Sequence, residues 1–166
     1  MTDGKMAKVA VVFAGEEEFG IDIGKVVEIL KVPRVHTLPQ LPAFVSGVVN
    51  IRGEVIPLVD LRKRFGIVPA SVKERIVVVR SDREKVGLLV DGVKEIINLQ
   101  PEEMLRPPGM FKGLKTEYMT GIGRRGDSII ILLDLDTLLS SEERIQMEAL
   151  QKTIEVRDAG DEKTSR

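Results

Sequence analysis

Short apolar runs separated by turn residues recur along the chain, and they predict strands. Residues 9–14 are apolar and rich in β-branched side chains, and a glycine followed by acidic residues turns the chain into an alternating segment that ends near residue 23. Residues 75–90 follow the same order, with a β-branched run, a polar turn and a second apolar run. Runs of about four to eight such residues between turn signals are typical of hairpins. The chain is therefore predicted to be mainly β.

Further strands and one surface connection complete this pattern. Pro33, Pro39 and Pro42 lie between two apolar runs. Because proline lacks the N–H that an inner strand needs, this segment is predicted as a surface connection. Six more apolar runs are predicted as strands, at residues 26–30, 45–49, 54–59, 93–97, 118–122 and 128–133.

Helical signals are confined to a short connection and the end of the chain. Asp60 or a neighbour is predicted to open a short helix that ends at Gly66, because glycine favours the left-handed position after a helix. A Ser-x-x-Glu capping box precedes a second helix, which is predicted from about residue 141 to about residue 154. The polar residues 155–166 are predicted as a frayed tail.

The chain nearly repeats itself. Residues 20–30 return as residues 87–97, with glycine, valine, glutamate and isoleucine in the same places. Residues 52–61 resemble residues 125–135, with one extra residue in the later copy. Chance similarity between apolar strands is the alternative, and the shared Glu-Ile and Arg-Gly-acid details favour duplication of a β unit. Duplication predicts two lobes with a seam, and seams often hold ligands or partners.

These patterns predict a single domain of two lobes. Residues 1–8 are a flexible lead, residues 9–154 form the domain, and residues 155–166 are a polar tail. The duplicated units span about residues 20–61 and 87–135, and exchange of strands between the lobes stays open. Two small barrels or a sandwich would both fit the pattern, and barrel closure would remove exposed sheet edges.

Composition narrows the classes of function. The chain has 166 residues, of which 43% are hydrophobic and 31% charged, as expected of a globular protein with a core. Its net charge of −1 gives no electrostatic reason to bind nucleic acid or an anionic membrane. Cysteine is absent, which excludes disulfides, thiolate metal sites and cysteine nucleophiles. No signal sequence is visible and no apolar run approaches the roughly 18 residues of a membrane span, so a cytoplasmic location is expected.

Residues that could carry chemistry are sparse. Residues 121–126 spell Gly-x-Gly-x-x-Gly, but an apolar strand follows where a dinucleotide site needs a helix, so a hairpin turn is the preferred interpretation. His36 is the only histidine and has no partner at ligand spacing. Asp134 and Asp136 could hold a divalent cation, but capping explains them equally well, since Asp60 occupies the matching place in the first copy. We therefore predict that the chain is not an enzyme and that it has neither a set of catalytic residues nor a metal site.

The remaining candidates lie at a turn and at matched positions of the repeat. Arg52 lies at a turn between two apolar strands. Its guanidinium is either simply solvated or donates hydrogen bonds to paired carboxylate or carbonyl oxygens at an interface. Val26 matches Val93, and Ile29 matches Ile96. These apolar residues belong either to the core or to the seam between symmetrically packed lobes.

One long motif and four shorter ones form a pattern of their own. The long motif, residues 47–62, runs from Gly-Val-x-Asn-Ile-Arg-Gly to Val-Asp-Leu-Arg. The shorter motifs are Gly-Ile-Asp-Ile at 20–23, Val-x-Glu-Ile at 26–29, Val-Asp-Gly-Val at 90–93 and Glu-Tyr-Met-Thr-Gly-Ile-Gly at 117–123. Together they resemble the CheW family, the coupling proteins of bacterial chemotaxis, over about residues 9–150.

The resemblance implies an all-β fold, mainly β with a C-terminal helix, of two five-stranded SH3-like barrels packed on a shared hydrophobic core. It implies a non-catalytic adaptor without cofactor, which couples the regulatory domain of the histidine kinase CheA to the cytoplasmic tips of chemoreceptors and helps to build signalling arrays. Such a protein is cytoplasmic and associated with membrane-anchored arrays, without inserting into the membrane itself. A pilus or other receptor–kinase pathway is an open alternative setting.

The resemblance also assigns binding positions. A groove at the junction of the lobes would receive the receptor's helical hairpin, with Glu28 and Arg52 supplying oriented polar contacts and Gly47 admitting close backbone approach. The receptor-binding positions are Val26, Glu28, Gly47, Arg52, Val93 and Ile96. The kinase-binding positions are Val55, Arg106 and Phe111, of which the last two lie near a segment that aligns with the family only across a gap.

Two other classes of function compete with the adaptor. A nucleic-acid-binding barrel needs a basic stripe with aromatic residues, for which residues 62–64 and 124–125 are the candidates, while aromatic residues make up 4% of the chain. A barrel that binds a small ligand, or an enzyme, would use the seam between the lobes, where a bound metabolite would raise thermal stability.

Overall fold

Hairpins dominate the computed structural model, which describes residues 5–70, 73–81, 84–106 and 116–164. The strands and α-helices of these residues, in chain order, are β1 (Ala7–Ala14), β2 (Glu17–Asp22), β3 (Val26–Lys31), β4 (Val35–His36), β5 (Gly47–Ile51), β6 (Glu54–Asp60), α1 (Leu61–Phe65), β7 (Arg75–Ser81), β8 (Glu84–Val90), β9 (Gly92–Leu99), β10 (Met104–Leu105), β11 (Met119–Arg125), β12 (Ser128–Leu133) and α2 (Ser141–Thr164). The prediction of a mainly β protein with a C-terminal helix is confirmed. Neither α1 nor α2, as far as the structure describes them, is long and apolar enough to cross a membrane.

The strands form two six-stranded sheets with the same internal order. Sheet 1 is β10-β11-β12-β2-β1-β9, and sheet 2 is β4-β5-β6-β8-β7-β3. Read position for position, β4, β5 and β6 of one sheet correspond to β10, β11 and β12 of the other. Because β4 and β10 have two residues each, each sheet has five longer strands. The two sheets are the two SH3-like subdomains that the family resemblance implies.

Each sheet contains a hairpin from the other half of the chain. β1 and β2 pair with β9 and β12 in sheet 1, whereas β7 and β8 pair with β3 and β6 in sheet 2. Each hairpin therefore joins its sheet through one antiparallel pair and one parallel pair. At the two parallel joints, Leu132 opposes Gly20 and Leu58 opposes Gly87. A Cβ added to Gly20 would lie 2.8 Å from Leu132 Cδ2, and one added to Gly87 would lie 2.6 Å from Leu58 Cδ2. Glycine leaves room for a leucine at both joints, and the duplication that would explain this match stays a prediction.

The apolar interior has a shared centre and a separate core inside each sheet. The central cluster contains side chains from both sheets and both helices, including Phe19, Ile21, Leu61, Leu88 and Met147. The core of sheet 1 consists of Val9, Val11, Ile97, Leu99, Ile130 and Leu132. The core of sheet 2 consists of Val49, Ile51, Ile56, Leu58, Ile76 and Val78. Since burial of apolar surface is the main stabilising term, the central cluster holds the two subdomains together as one body.

The predicted boundaries of the first helix are confirmed. The Asp60 carboxylate caps α1 by accepting a 2.9 Å hydrogen bond from the Arg62 backbone N–H, and Gly66 ends the helix in the left-handed conformation with a φ of 68°. The matched Asp134 accepts a 3.0 Å hydrogen bond from the backbone N–H of Asp136, but this bond closes a turn and caps no helix, because α2 begins only at Ser141. Among the described residues, no group of three or more His, Cys, Asp and Glu side chains could hold a metal ion.

The glycine-rich motif lies mostly in a strand. β11 continues to Arg125, so the hairpin to β12 turns at Gly126 and Asp127 alone. Gly123 lies against Leu99, whose Cδ1 would be 2.7 Å from an added Cβ. The preference for a hairpin over a dinucleotide site is confirmed, although the turn is shorter than predicted because Gly123 lies in the strand and accommodates core packing.

Other element boundaries differ from the prediction. β5 begins at Gly47 rather than at Val45, because the Val45 N–H bonds to the Pro42 carbonyl in a turn. The proline-rich connection contains the two-residue strand β4, which proline tolerates because β4 lies at a sheet edge. α2 continues to Thr164, past the predicted end near residue 154, because no proline interrupts it.

Candidate partner-binding groove

Arg52 and Glu28 form an ion pair across sheet 2. Arg52 lies in the β5–β6 turn, whereas Glu28 lies on β3 at the far edge of the same sheet, and the Arg52 Nη2 donates a hydrogen bond to Glu28 Oε2. The pair can form only because the sheet curls back on itself. The Arg52 side chain is 73% exposed and that of Glu28 is 25% exposed. Glu28 raises the pKa of Arg52 above its ordinary value, first through the hydrogen bond and then through its charge.

The backbone of Arg52 is unusual for a residue with a side chain. Its φ is +51°, in the left-handed region that glycine normally occupies, and Gly53 follows with a φ of +84°. The turn is held by a 2.8 Å hydrogen bond from the Gly53 N–H to the Asn50 side chain. An exposed side chain kept at a position that favours glycine points to a role in recognition, since backbone strain of this kind concentrates at functional sites.

Val26 and Val93 lie at the seam between the sheets. Val26 begins β3 of sheet 2 and Val93 lies near the start of β9 of sheet 1, and both are half-buried against the central cluster. The two interpretations of these matched residues, core and seam, therefore both apply. One side of each residue packs on the shared core, and the other side remains open to solvent.

Apolar side chains are exposed on the two edge strands that leave the seam. Ile96 of β9 is 52% exposed, and its matched residue Ile29 of β3 is 36% exposed. Val27 of β3 is 41% exposed and was missed by the sequence analysis, although two consecutive valines in a strand imply that one faces outward. Exposed apolar side chains on edge strands favour contact with a partner, because an isolated edge is usually protected by charge.

Gly47 has a structural role that the sequence did not reveal. It is buried in β5, and an added Cβ would lie 2.5 Å from Val35 Cγ1 and 3.0 Å from the His36 carbonyl oxygen. The close approach that Gly47 permits is therefore to β4 of the same chain. A larger side chain at this position would disturb the fold before it could block a partner.

Two of the predicted kinase-contact residues, Val55 and Arg106, belong to different sheets. Val55 is half-buried on β6, close along the hairpin to Arg52 and in sheet 2. Arg106 is exposed just after β10 of sheet 1. Phe111 lies outside the described residues. The structure thus brings Glu28 and Arg52 into contact, places the apolar candidates at the seam or on an edge strand, and leaves Arg106 on a separate surface.

A buried ionic network was missed by the sequence analysis. The Arg62 guanidinium, 3% exposed, donates to Asp60 through Nε at 2.8 Å, to Asp91 through Nη1 at 2.6 Å and to Glu74 through Nη2 at 2.5 Å. Burial acts to lower the pKa of Arg62, but the hydrogen bonds to the three carboxylates raise it well above its ordinary value. Arg62 belongs to the Asp-Leu-Arg motif and Asp91 to the Val-Asp-Gly-Val motif. Nothing in the sequence indicates that these two motifs meet in the fold.

A second arginine attaches α2 to the body. Arg64 donates to Glu143 of α2 at 2.9 Å and to the Tyr118 hydroxyl at 3.2 Å, and its guanidinium lies over the rings of Tyr118 and Phe44. Because Arg62 and Arg64 are both occupied with acidic partners, residues 62–64 do not form the basic stripe that a nucleic-acid-binding barrel needs. Arg125, from the other candidate stretch, is paired with Glu103 at 3.1 Å.

Comparison with known proteins identifies the family. The model of the CheW-like domain matches residues 8–143. A chemotaxis protein CheW from Klebsiella aerogenes is 38% identical over 141 residues, which cover 84% of this chain and 85% of the relative, and one from Treponema pallidum is 37% identical over 135 residues, with 78% and 79% covered. The crystal structure of the scaffolding protein TtCheW from Thermoanaerobacter tengcongensis superimposes with a TM-score of 0.75 at 34% identity, covering 84% of this chain and 97% of that one. The chain therefore belongs to the CheW family of chemotaxis adaptor proteins.

Proposed function

We propose that the chain couples the regulatory domain of a CheA-type histidine kinase to the cytoplasmic tip of a chemoreceptor, without catalysing a reaction. The observation that carries this proposal is the Arg52–Glu28 ion pair of sheet 2, together with the exposed apolar residues of the edge strands β3 and β9. We place the protein in the cytoplasm, next to membrane-anchored receptor arrays. The same surface would serve a receptor and kinase of a pilus-motility or other pathway.

The groove that we propose combines side chains from both sheets. Val93 and Ile96 come from sheet 1, and Val26, Glu28 and Arg52 come from sheet 2. An amphipathic helix would bury its apolar residues against the two edge strands, a recognition mode in which residues at i, i+3, i+4 and i+7 face the groove. A helical hairpin presents two such faces side by side, which suits a surface that spans two sheets.

Arg52 would select the orientation of that hairpin. Its planar guanidinium has five N–H donors, and Glu28 occupies only part of them. The remaining donors can bind a carboxylate or carbonyl oxygens at the end of a receptor helix, while the hydrogen bond to Glu28 orients the guanidinium. An exposed ion pair contributes at most about 1 kcal/mol to folding stability, so direction rather than stability explains the pair.

The kinase would contact strand surfaces of the two sheets. Val55 on β6 and Arg106 after β10 are positions that support this assignment, and Phe111 belongs to it through the family resemblance alone. Because Val55 and Arg106 belong to different sheets, we propose that both sheets contribute contacts to the kinase.

The matched arginines of the two hairpins provide the test. Arg52→Ala and Arg125→Ala remove an arginine at the corresponding hairpin of each sheet, and each wild-type residue is paired with a glutamate. Isothermal titration calorimetry would measure binding of each full-length variant to a receptor-tip helical hairpin and to the kinase regulatory domain. We expect Arg52→Ala to weaken receptor binding by about tenfold, in line with loss of about 1.4 kcal/mol at a recognition residue, and Arg125→Ala to leave it unchanged. Equal losses for the two variants, or no binding by the wild type, would contradict the proposal.

A further inference from the structure

Asp91 lies where the chain leaves sheet 2 and enters sheet 1. It follows β8 of sheet 2 and precedes β9 of sheet 1, and its Oδ1 accepts a 2.6 Å hydrogen bond from Arg62 at the end of the β6–α1 connection. Its Oδ2 accepts a 2.5 Å hydrogen bond from the N–H of Gly15, and its own N–H donates at 2.8 Å to the carbonyl of Phe13. Gly15 and Phe13 belong to the β1–β2 hairpin of sheet 1. One carboxylate thus joins groups from both sheets.

The connection is buried and directional. The side chains of Arg62 and Asp91 are 3% and 2% exposed. Desolvation of two buried charges offsets most of their attraction, so such a pair contributes little net stability compared with an apolar pair of the same size. The hydrogen bonds of this pair, however, require narrow ranges of length and angle, and the planar guanidinium group can donate them to Asp91 in few orientations. The pair therefore fixes geometry more than it stabilises the fold.

We propose that Arg62 and Asp91 are positioning residues of the partner-binding groove, which set the angle between its two halves. Asp91 stands two residues before Val93, on the strand that also carries Ile96. Arg62 lies in the first turn of α1, two residues after the end of β6, and the hairpin of β5 and β6 carries Arg52. A change in the Arg62–Asp91 contact moves one half of the groove relative to the other while each sheet keeps its own core. This inference rests on the proposed function, because that function defines a groove spanning both sheets.

Glu74 supplies a matched control within the same network. It accepts a hydrogen bond from the same guanidinium, but it lies directly before β7 of sheet 2, so its contact with Arg62 remains on one side of the seam. Asp91→Asn and Glu74→Gln both replace one carboxylate that contacts Arg62 by its neutral isostere. They differ in whether the lost charge pair crosses between the sheets and also in burial, since the Glu74 side chain is 36% exposed and that of Asp91 is 2% exposed.

Distances between spin labels measure the angle directly. The chain has no cysteine, so Lys8→Cys on β1 and Lys31→Cys on β3, both exposed, place one nitroxide on each sheet without background labelling. Double electron–electron resonance on the labelled full-length protein is expected to show a shifted or broadened distance distribution in Asp91→Asn, and an unchanged one in Glu74→Gln. Arg62→Lys, which keeps the charge but loses the fork, should behave as Asp91→Asn does and replaces it if that variant fails to fold. An unchanged distribution in these seam variants would overturn the proposal.

Binding of the receptor tip supplies the functional half of the test. Asp91→Asn should weaken binding of the receptor-tip hairpin by about tenfold, the size of coupling that a residue outside the contact surface typically contributes. Glu74→Gln should leave this affinity unchanged. Unchanged receptor affinity in Asp91→Asn, or an equal loss of affinity in Glu74→Gln, would overturn the proposal. If the wild type binds no receptor tip, the proposed function fails, while the spin-label distances still decide whether the Arg62–Asp91 contact sets the angle.

Discussion

Arg52, in the turn between β5 and β6, donates a hydrogen bond to Glu28 on β3, at the opposite side of the same curled sheet. The two residues are 24 positions apart in sequence. Their contact restricts the direction of an arginine side chain that is 73% exposed. Several consequences of this arrangement and of its neighbours are measurable.

Removing the charge of Glu28 should separate stability from binding. Glu28→Gln is expected to change the free energy of unfolding by less than about 1 kcal/mol, because Arg52 is 73% exposed and solvent screens its charge. It should nevertheless weaken receptor-tip binding, since Arg52 loses the partner that orients it. Urea denaturation and calorimetric titration on the same preparation would measure both quantities. A loss of stability well beyond that range would identify the pair as structural.

Filling the glycine joint between the halves of the chain should destabilise the protein. In Gly87→Ala the new Cβ meets Leu58 at 2.6 Å, and such overpacking typically costs about 1–3 kcal/mol. Gly92→Ala is the matched control, because nothing lies within 4 Å of its added Cβ and alanine suits a strand better than glycine does. Equal urea midpoints for the two variants would show that the joint yields more easily than its geometry indicates.

The attachment of α2 should depend on pH through Glu143. Burial acts to raise its pKa, but hydrogen bonds from Arg64 and Ser140 outweigh burial, so the pKa lies below the ordinary value of 4.5. A carboxyl group with a lowered folded pKa stabilises the protein fully above its unfolded pKa, and this contribution is lost as the pH falls through the folded pKa. Glu143→Gln should therefore lose stability at pH 7 and show a smaller decrease than wild type when the pH is lowered below about 4.5. Urea denaturation at several pH values across this range would measure the effect, with Glu142→Gln at an exposed position as the control. The same pH dependence of stability in the two variants would contradict the prediction.

The central cluster should depend strongly on Met147 of α2. This side chain is 1% exposed, and truncation of a buried methionine to alanine typically costs about 2–5 kcal/mol. Ile145, two residues earlier on the same helix, is 68% exposed, so Ile145→Ala should change stability by less than about 0.5 kcal/mol. Thermal unfolding of the two variants would measure the difference, and similar midpoints would show that α2 does not anchor the core.

Many local features of this fold could be predicted from the sequence because they depend on neighbouring residues. Asp60 and Gly66 bound α1 as predicted, since capping and the left-handed glycine act within one turn of the chain. The alternation of apolar and turn residues predicted the hairpins for the same reason. Where packing from elsewhere intervenes, as at Gly123 against Leu99, the predicted boundary moved.

For the candidate site, the sequence by itself determined which residues deserve comparison, through the matched pairs Val26 with Val93 and Ile29 with Ile96 and through the family motifs. Tertiary structure alone decided that Gly47 packs on its own chain, that Glu28 meets Arg52, and that Arg62 meets Asp91 across the seam. The physical reason is distance along the chain. Hydrophobic periodicity and capping are written in local sequence, whereas the exchange of hairpins between sheets brings together charges 24 and 29 residues apart, and only the folded sheets define those contacts.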